Sequence, residues 1–171
     1  MVTLSCAYSY RRVNKREEEE REMARLEYRK LDEAKGFPVL YYYDLIDKDE
    51  IALRFACDYF VKEGVVYERT SCAVESSCYV IYVQIAEDEK VVEPAKPVSR
   101  NKPGIIMEVR EFKEDTAHYP VVCTYVFKDD DDAILHLQSQ FLYLYGREWE
   151  KTSTEIDEDR GVYVYYAQPT A

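Results

Sequence analysis

Phe37-Pro-Val-Leu-Tyr-Tyr-Tyr-Asp-Leu-Ile-Asp47 and Tyr119-Pro-Val-Val-Cys-Thr-Tyr-Val-Phe-Lys-Asp129 follow one pattern: a proline, a β-rich run and a closing aspartate. Setting Phe37 on Tyr119 gives an offset of 82 (119 − 37), which holds without a gap to Ser71 on Ser153. Ten of those 35 positions are identical, among them Tyr43/Tyr125, Asp47/Asp129, Gly64/Gly146, Glu68/Glu150 and Thr70/Thr152. An ordinary composition would give roughly two by chance. After a two-residue insertion the offset becomes 84, and Tyr79-Val80, Tyr82 and Gln84 recur as Tyr163-Val164, Tyr166 and Gln168. The chain therefore reads as a tandem duplication.

Working outward, each copy predicts strand, helix, strand, strand. The prolines suit only a strand's first position. Asp47 with Glu50, and Asp129 with Asp132, are helix-start signals. Ala52, Phe55, Ala56, Tyr59 and Phe60 form one apolar helical stripe, and Ile134, Leu137, Phe141 and Leu144-Tyr145 form the other. Gly64 and Gly146 stand where a helix C′ residue must accept φ > 0. Two hairpins follow, 65–74 with 78–85 around Glu75-Ser76-Ser77, and 147–156 with 162–167 around Glu158-Asp159-Arg160-Gly161.

The flanks are less regular. Residues 2 to 10 alternate Val2, Leu4, Cys6, Tyr8 and Tyr10 against small polar residues, a half-buried strand pattern. The charge block 11–22 fits either a helix laced with ion pairs or a flexible connection. Residues 23–31 fit helix or strand by periodicity. Placing Glu27-Tyr28 on Glu111-Phe112, inside the β-branched run 105–112, decides for a strand. Residues 86–104 hold Pro94, Pro97, Pro103 and Gly104 among charges, a linker composition. The expected organisation is one globular domain over 1–171. It comprises an N-terminal strand and charged segment (1–22), repeat 1 (23–85), the linker (86–104) and repeat 2 (105–171).

Composition narrows the function classes. A formal charge of −11 argues against nucleic acid and against an anionic membrane surface. No apolar run is long enough for a spanning helix, and the first residues lack the pattern of a secretion signal. Five cysteines without a CxxC fit neither a zinc site nor a disulfide framework, which leads us to expect reduced thiols in a cytoplasmic protein. Seventeen tyrosines suit half-exposed strands, or an aromatic binding surface.

Catalytic signals are weak. His118 and His136 are the only histidines, no serine or cysteine has a nucleophile context, and no glycine-rich phosphate loop exists. Asp129 to Asp132 match a helix N-terminus better than a calcium loop. We expect no catalytic residues, metal or cofactor. The duplication instead singles out Tyr67 and Glu68 in Tyr67-Glu-Arg-Thr-Ser71, and Trp149 and Glu150 in Trp149-Glu-Lys-Thr-Ser153. Packed about a pseudo-twofold axis, they would offer paired aromatics and carboxylates to a cationic or flat apolar ligand. As ordinary strand residues, Tyr67 and Trp149 would be core, with Glu68 and Glu150 exposed.

The tandem strand–helix–strand–strand order, with runs such as Met107-Glu-Val-Arg-Glu-Phe112, resembles the duplicated architecture of the gyrase-inhibitor-like effector-binding domains of bacterial regulators. The similarity spans roughly residues 24–85 and 105–168, leaving the N-terminal segment as an addition. It implies a pseudo-symmetric cleft for small molecules or partner proteins. The expected fold is α+β, two ββαββ-like repeats in an antiparallel sheet with one helix per repeat packed on it. The expected function is non-enzymatic binding of a small molecule between the repeats. The alternative is a protein–protein module using an acidic face or a sheet edge, and an enzyme without a recognisable motif comes third. The ligand or partner and the oligomeric state are not written in the sequence.

Overall fold

The computed structural model describes residues 22–91, 104–116 and 118–170. The expected strand over 2–10, nearly all of the charge block and residues 92–103 of the linker lie outside them. The fold is α+β: ten strands in one mixed sheet, with two short helices. The first half runs β1 (Met23–Lys30), β2 (Val39–Asp47), α1 (Lys48–Phe55), β3 (Tyr59–Lys62), β4 (Val65–Val74) and β5 (Tyr79–Ile85). The second runs β6 (Ile105–Glu111), β7 (Val121–Phe127), α2 (Asp130–Gln138), β8 (Phe141–Leu144), β9 (Arg147–Asp157) and β10 (Val162–Pro169).

Neighbours in the sheet follow the order β2-β1-β5-β4-β3-β9-β10-β6-β7, with β8 beside the start of β9. Three pairings are parallel, β1–β5, β6–β10 and β3–β9, so the expectation of an antiparallel sheet is corrected to a mixed one. Two of these arise because each half's last strand lies beside its first, and the third, β3–β9, joins the halves. Registers agree between the halves. Tyr43 faces Leu26 as Tyr125 faces Met107, and both hairpins slip where Arg29 and Arg110 sit. The β4–β5 and β9–β10 ladders both slip past Thr70 and Thr152. These registers set Glu27 and Arg29 beside Glu108 and Arg110, which corrects the placement of Glu27 on Glu111.

The helix starts match the sequence reading. Asp47 and Asp129 cap α1 and α2, accepting from the backbone N–H of Asp49 and Asp132. The helix ends do not. Each helix stops early, and its supposed last turn is a four-residue strand, β3 or β8, so each half is ββαβββ rather than ββαββ. Gly64 and Gly146 are not helix C′ residues but tips of two-residue hairpins. Glu63 and Gly64 have φ of 53° and 74°, and Tyr145 and Gly146 have 52° and 76°. Two successive positive φ values make the turn whose twist matches antiparallel strands.

Both sheet faces are covered near β10. Tyr163, Tyr165 and Ala167 join the main core with Ile51 and Leu53 of α1 and Ala133 and Leu137 of α2. Val162, Val164 and Tyr166 alternate onto the opposite face and meet Ile106, Phe112 and Tyr119. The helices touch one another, α1 lying on β1 and β2 and α2 on β6 and β7. None of the described helices is long and apolar enough to cross a membrane.

Candidate functional site

On the face away from the helices, a cleft of about 230 Å³ opens between the halves. Tyr59 and Val66 come from the first half, and Glu89 and Lys90 from the segment that follows β5. Phe112, Tyr119, Tyr166 and Glu155 come from the second. The parallel β3–β9 ladder assembles it, because Tyr59 pairs with Glu155 across the joint. Asp58 fixes that joint: its N–H donates to the Thr154 carbonyl at 2.9 Å, and its carboxylate accepts from the Thr154 N–H at 3.0 Å.

One wall is a cluster of three rings. Phe112 stacks on Tyr119 and Tyr119 meets Tyr166 edge-on, with centroids 5.5 Å apart in each case. Such pairs favour fixed geometry beyond their area burial. Tyr59, half-buried, forms part of the first half's side.

Glu155 is the unusual group. It is 7% exposed, and its Oε1 accepts from the Tyr166 hydroxyl at 3.1 Å. Oε2 has no hydrogen-bond partner among the described residues, while the side chain lines the cleft. Burial pushes this carboxyl up to about 7; Asp157 adds to the rise, and Tyr166, Arg160 and Arg110 oppose it. Two other buried acids nearby, Glu108 and Asp157, are neutralised. Arg160 donates to both oxygens of Glu108, at 3.0 and 3.1 Å, and to Asp157 at 2.7 Å. Burial raises the Glu108 carboxyl, but Arg160 and Arg110 outweigh it and hold it below the usual range. Glu155 has no such cationic partner.

The four residues singled out from the duplication are not side by side, since β3 separates β4 from β9. Tyr67 is a core residue, its ring against Tyr41 and Phe60. Trp149 is also in the core, across from Leu142 and Pro169, and its indole N–H is buried without a hydrogen-bond partner. Glu150 lies opposite Phe141 and Gln168. Glu68 accepts from Gln84 at 2.9 Å and lines a groove adjoining the cleft. Sequence reasoning missed Tyr59, Phe112, Tyr119, Glu155 and Tyr166 as a group. The sequence match at offset 82 did not mark Glu155, because the residue matched to it is Ala73 (155 − 82).

Neither histidine belongs to the cleft. His136 Nδ1 lies 2.7 Å from the Asp132 carbonyl with its ring by Tyr125 and Phe127, and His118 is exposed. No group of three potential metal ligands occurs among the described residues. Cys57, Cys72, Cys78 and Cys123 are free thiols. Comparison with protein-family models, with curated proteins and with solved structures gives no match to this chain.

Proposed function

We propose that this protein binds an organic cation with a flat apolar body in the cleft between two duplicated halves. The observation that carries this reading is Glu155, a buried carboxyl with one unpartnered oxygen in an aromatic-walled cleft. A cleft with an aromatic wall and a buried carboxyl suits a small molecule. A positive charge that leaves water there gains both the carboxylate and the ring faces. The matching registers at offsets of 82 and 84, together with equal element order, support duplication as the origin of the two halves. The same order supports the likeness to gyrase-inhibitor-like effector-binding domains, with a third strand after each helix as the departure. A non-enzymatic role in the cytoplasm is part of this proposal, and the free thiols of Cys57, Cys72, Cys78 and Cys123 suit a reducing compartment.

Titration calorimetry with N-methylquinolinium, against neutral methylquinoline, tests the reading. At about half a kcal/mol per non-hydrogen atom, the expected Kd is on the order of a hundred micromolar. The neutral ring and the Glu155→Gln variant should each bind at least about tenfold more weakly. Affinity should rise about tenfold per pH unit toward about 7, then level, because the cation requires the ionised carboxylate.

Misfolding would not mimic this loss. The raised carboxyl holds its proton in the folded state, so its stabilising share is present at acid pH and lost as pH rises through about 7. Neutral glutamine should leave the empty protein at least as stable at about pH 8. Equal affinity for cation and neutral ring would sink the proposal in favour of the interaction-module reading.

A further inference from the structure

The cleft does not end at its mouth. A groove of about 650 Å³ continues from it, and Tyr59 and Glu89 line both. Glu68, Glu87, Asp88 and Glu89 line this groove against a single ammonium group, Lys30. Among the described residues, Glu87, Asp88 and Glu89 form no ion pair, and Glu68 takes only the neutral amide of Gln84. Two of these carboxylates, Glu68 and Glu89, act on the Tyr59 phenol. Burial raises Tyr59, and Glu89, Glu68, Asp58 and Glu155 raise it further. Glu89 itself is raised by burial, then by Asp88 and Glu68. Cleft and groove together therefore hold five carboxylates against two ammonium groups, Lys30 and Lys90.

Resting on the cleft being a cation site, we propose that its ligand is a dication. One centre sits at Glu155 between the rings, and a short flexible tether carries a second past Tyr59 into the groove. A monocation would neutralise Glu155 and leave the like charges outside it uncompensated. A second positive centre there gains from several carboxylates at once, although the exposed setting keeps each contribution modest and salt-sensitive. The tether must be short, because Tyr59 and Glu89 border both spaces.

The test uses the full chain, N-methylquinolinium, and a quinolinium carrying a trimethylammoniopropyl tail, titrated at about pH 8 in low and high salt. The tailed dication should bind about tenfold more tightly at low salt, and about two- to threefold more tightly at high salt. The double variant Glu87→Gln with Asp88→Asn, both exposed in the wild type, should reduce that low-salt ratio to about threefold or less. If the monocation binds but the tail adds nothing, the dication inference is overturned while the cleft reading stands. If the dication binds equally well to Glu155→Gln, the groove acts alone and the two-centre ligand is refuted. If neither quinolinium binds, both readings fall.

Discussion

Glu158→Gln is the substitution that most directly tests how the halves are held together. Glu158 belongs to the β9–β10 turn, yet its partners are all in the first half. Arg54 donates to it at 2.9 Å, and Lys62 and the Tyr43 hydroxyl also donate. Arg54 is 6% exposed, and its remaining partners are Glu50 at 2.8 Å and the Tyr28 hydroxyl at 3.4 Å. Breaking a buried pair by removing one partner costs about 3–5 kcal/mol. Here Glu50 still serves Arg54 and Glu158 is partly solvated, so the expected cost is about 2 kcal/mol. For a chain of this size that corresponds to a fall in Tm of about 4–8 °C.

The loss should depend on pH. Burial pushes the Glu158 carboxyl up, but Arg54, Lys62 and Tyr43 more than offset it and hold it below the usual range. A depressed carboxylate contributes stability above its unfolded pKa, and that share is lost as pH falls through the folded value. Urea denaturation followed by circular dichroism and Trp149 emission should show the full gap at about pH 7. By about pH 4 the gap should be clearly smaller. A gap below about 0.5 kcal/mol, or one equal at both pH values, would refute the view that Glu158 joins the halves as an ionised hub.

Gly64→Ala and Gly146→Ala should each cost about 1 kcal/mol from backbone strain alone, because a Cβ at either site meets nothing within 4 Å. Melting temperatures unchanged in both variants would remove the turn assignment. Trp149→Phe should change stability by less than about 1 kcal/mol, since losing ring area is offset by removing a buried, unpartnered N–H. A loss of about 3 kcal/mol, read from urea midpoints, would show that the indole nitrogen is satisfied after all.

Much of the fold was legible because the sequence match between residues 37–71 and 119–153 let one clear segment interpret a vague one. Residues 105–112 identified the first strand through their counterpart, and Asp47 and Asp129 marked both helix starts. The helix ends misled because Tyr59-Phe60 and Phe141-Leu142 continue an apolar pattern that fits periods of 3.6 and 2 equally over so few residues. A glycine between β-rich runs, as in Tyr59-Phe-Val-Lys-Glu-Gly64-Val-Val-Tyr67, was the signal for a hairpin. The cleft was harder to see. Along Thr154-Glu155-Ile156-Asp157 the acids alternate with less polar residues, as they would on a solvated face. Among the described residues, Phe112 and Tyr119, which follow β6 and precede β7, pack onto that face and help make it interior. Pairing of an aromatic wall with a carboxylate was anticipated as chemistry, but two residue copies were chosen because they matched, whereas the cleft draws unlike residues from each half.

The β3–β9 ladder also has a kinetic consequence. Each half closes its own sheet through contacts within itself, but Asp58 reaches Thr154 across 96 residues. Closing so long a loop costs entropy before any hydrogen bond repays it, and non-local strand pairing is slow. The halves should therefore condense first and dock last. The step that completes the protein's structure is then also the step that creates its cleft, since Tyr59 and Glu155 meet only across that joint. An intermediate with both halves folded but undocked would have nearly full secondary structure and no binding site. Ligand present during refolding would then act on the final docking equilibrium, leaving the early condensation of each half untouched.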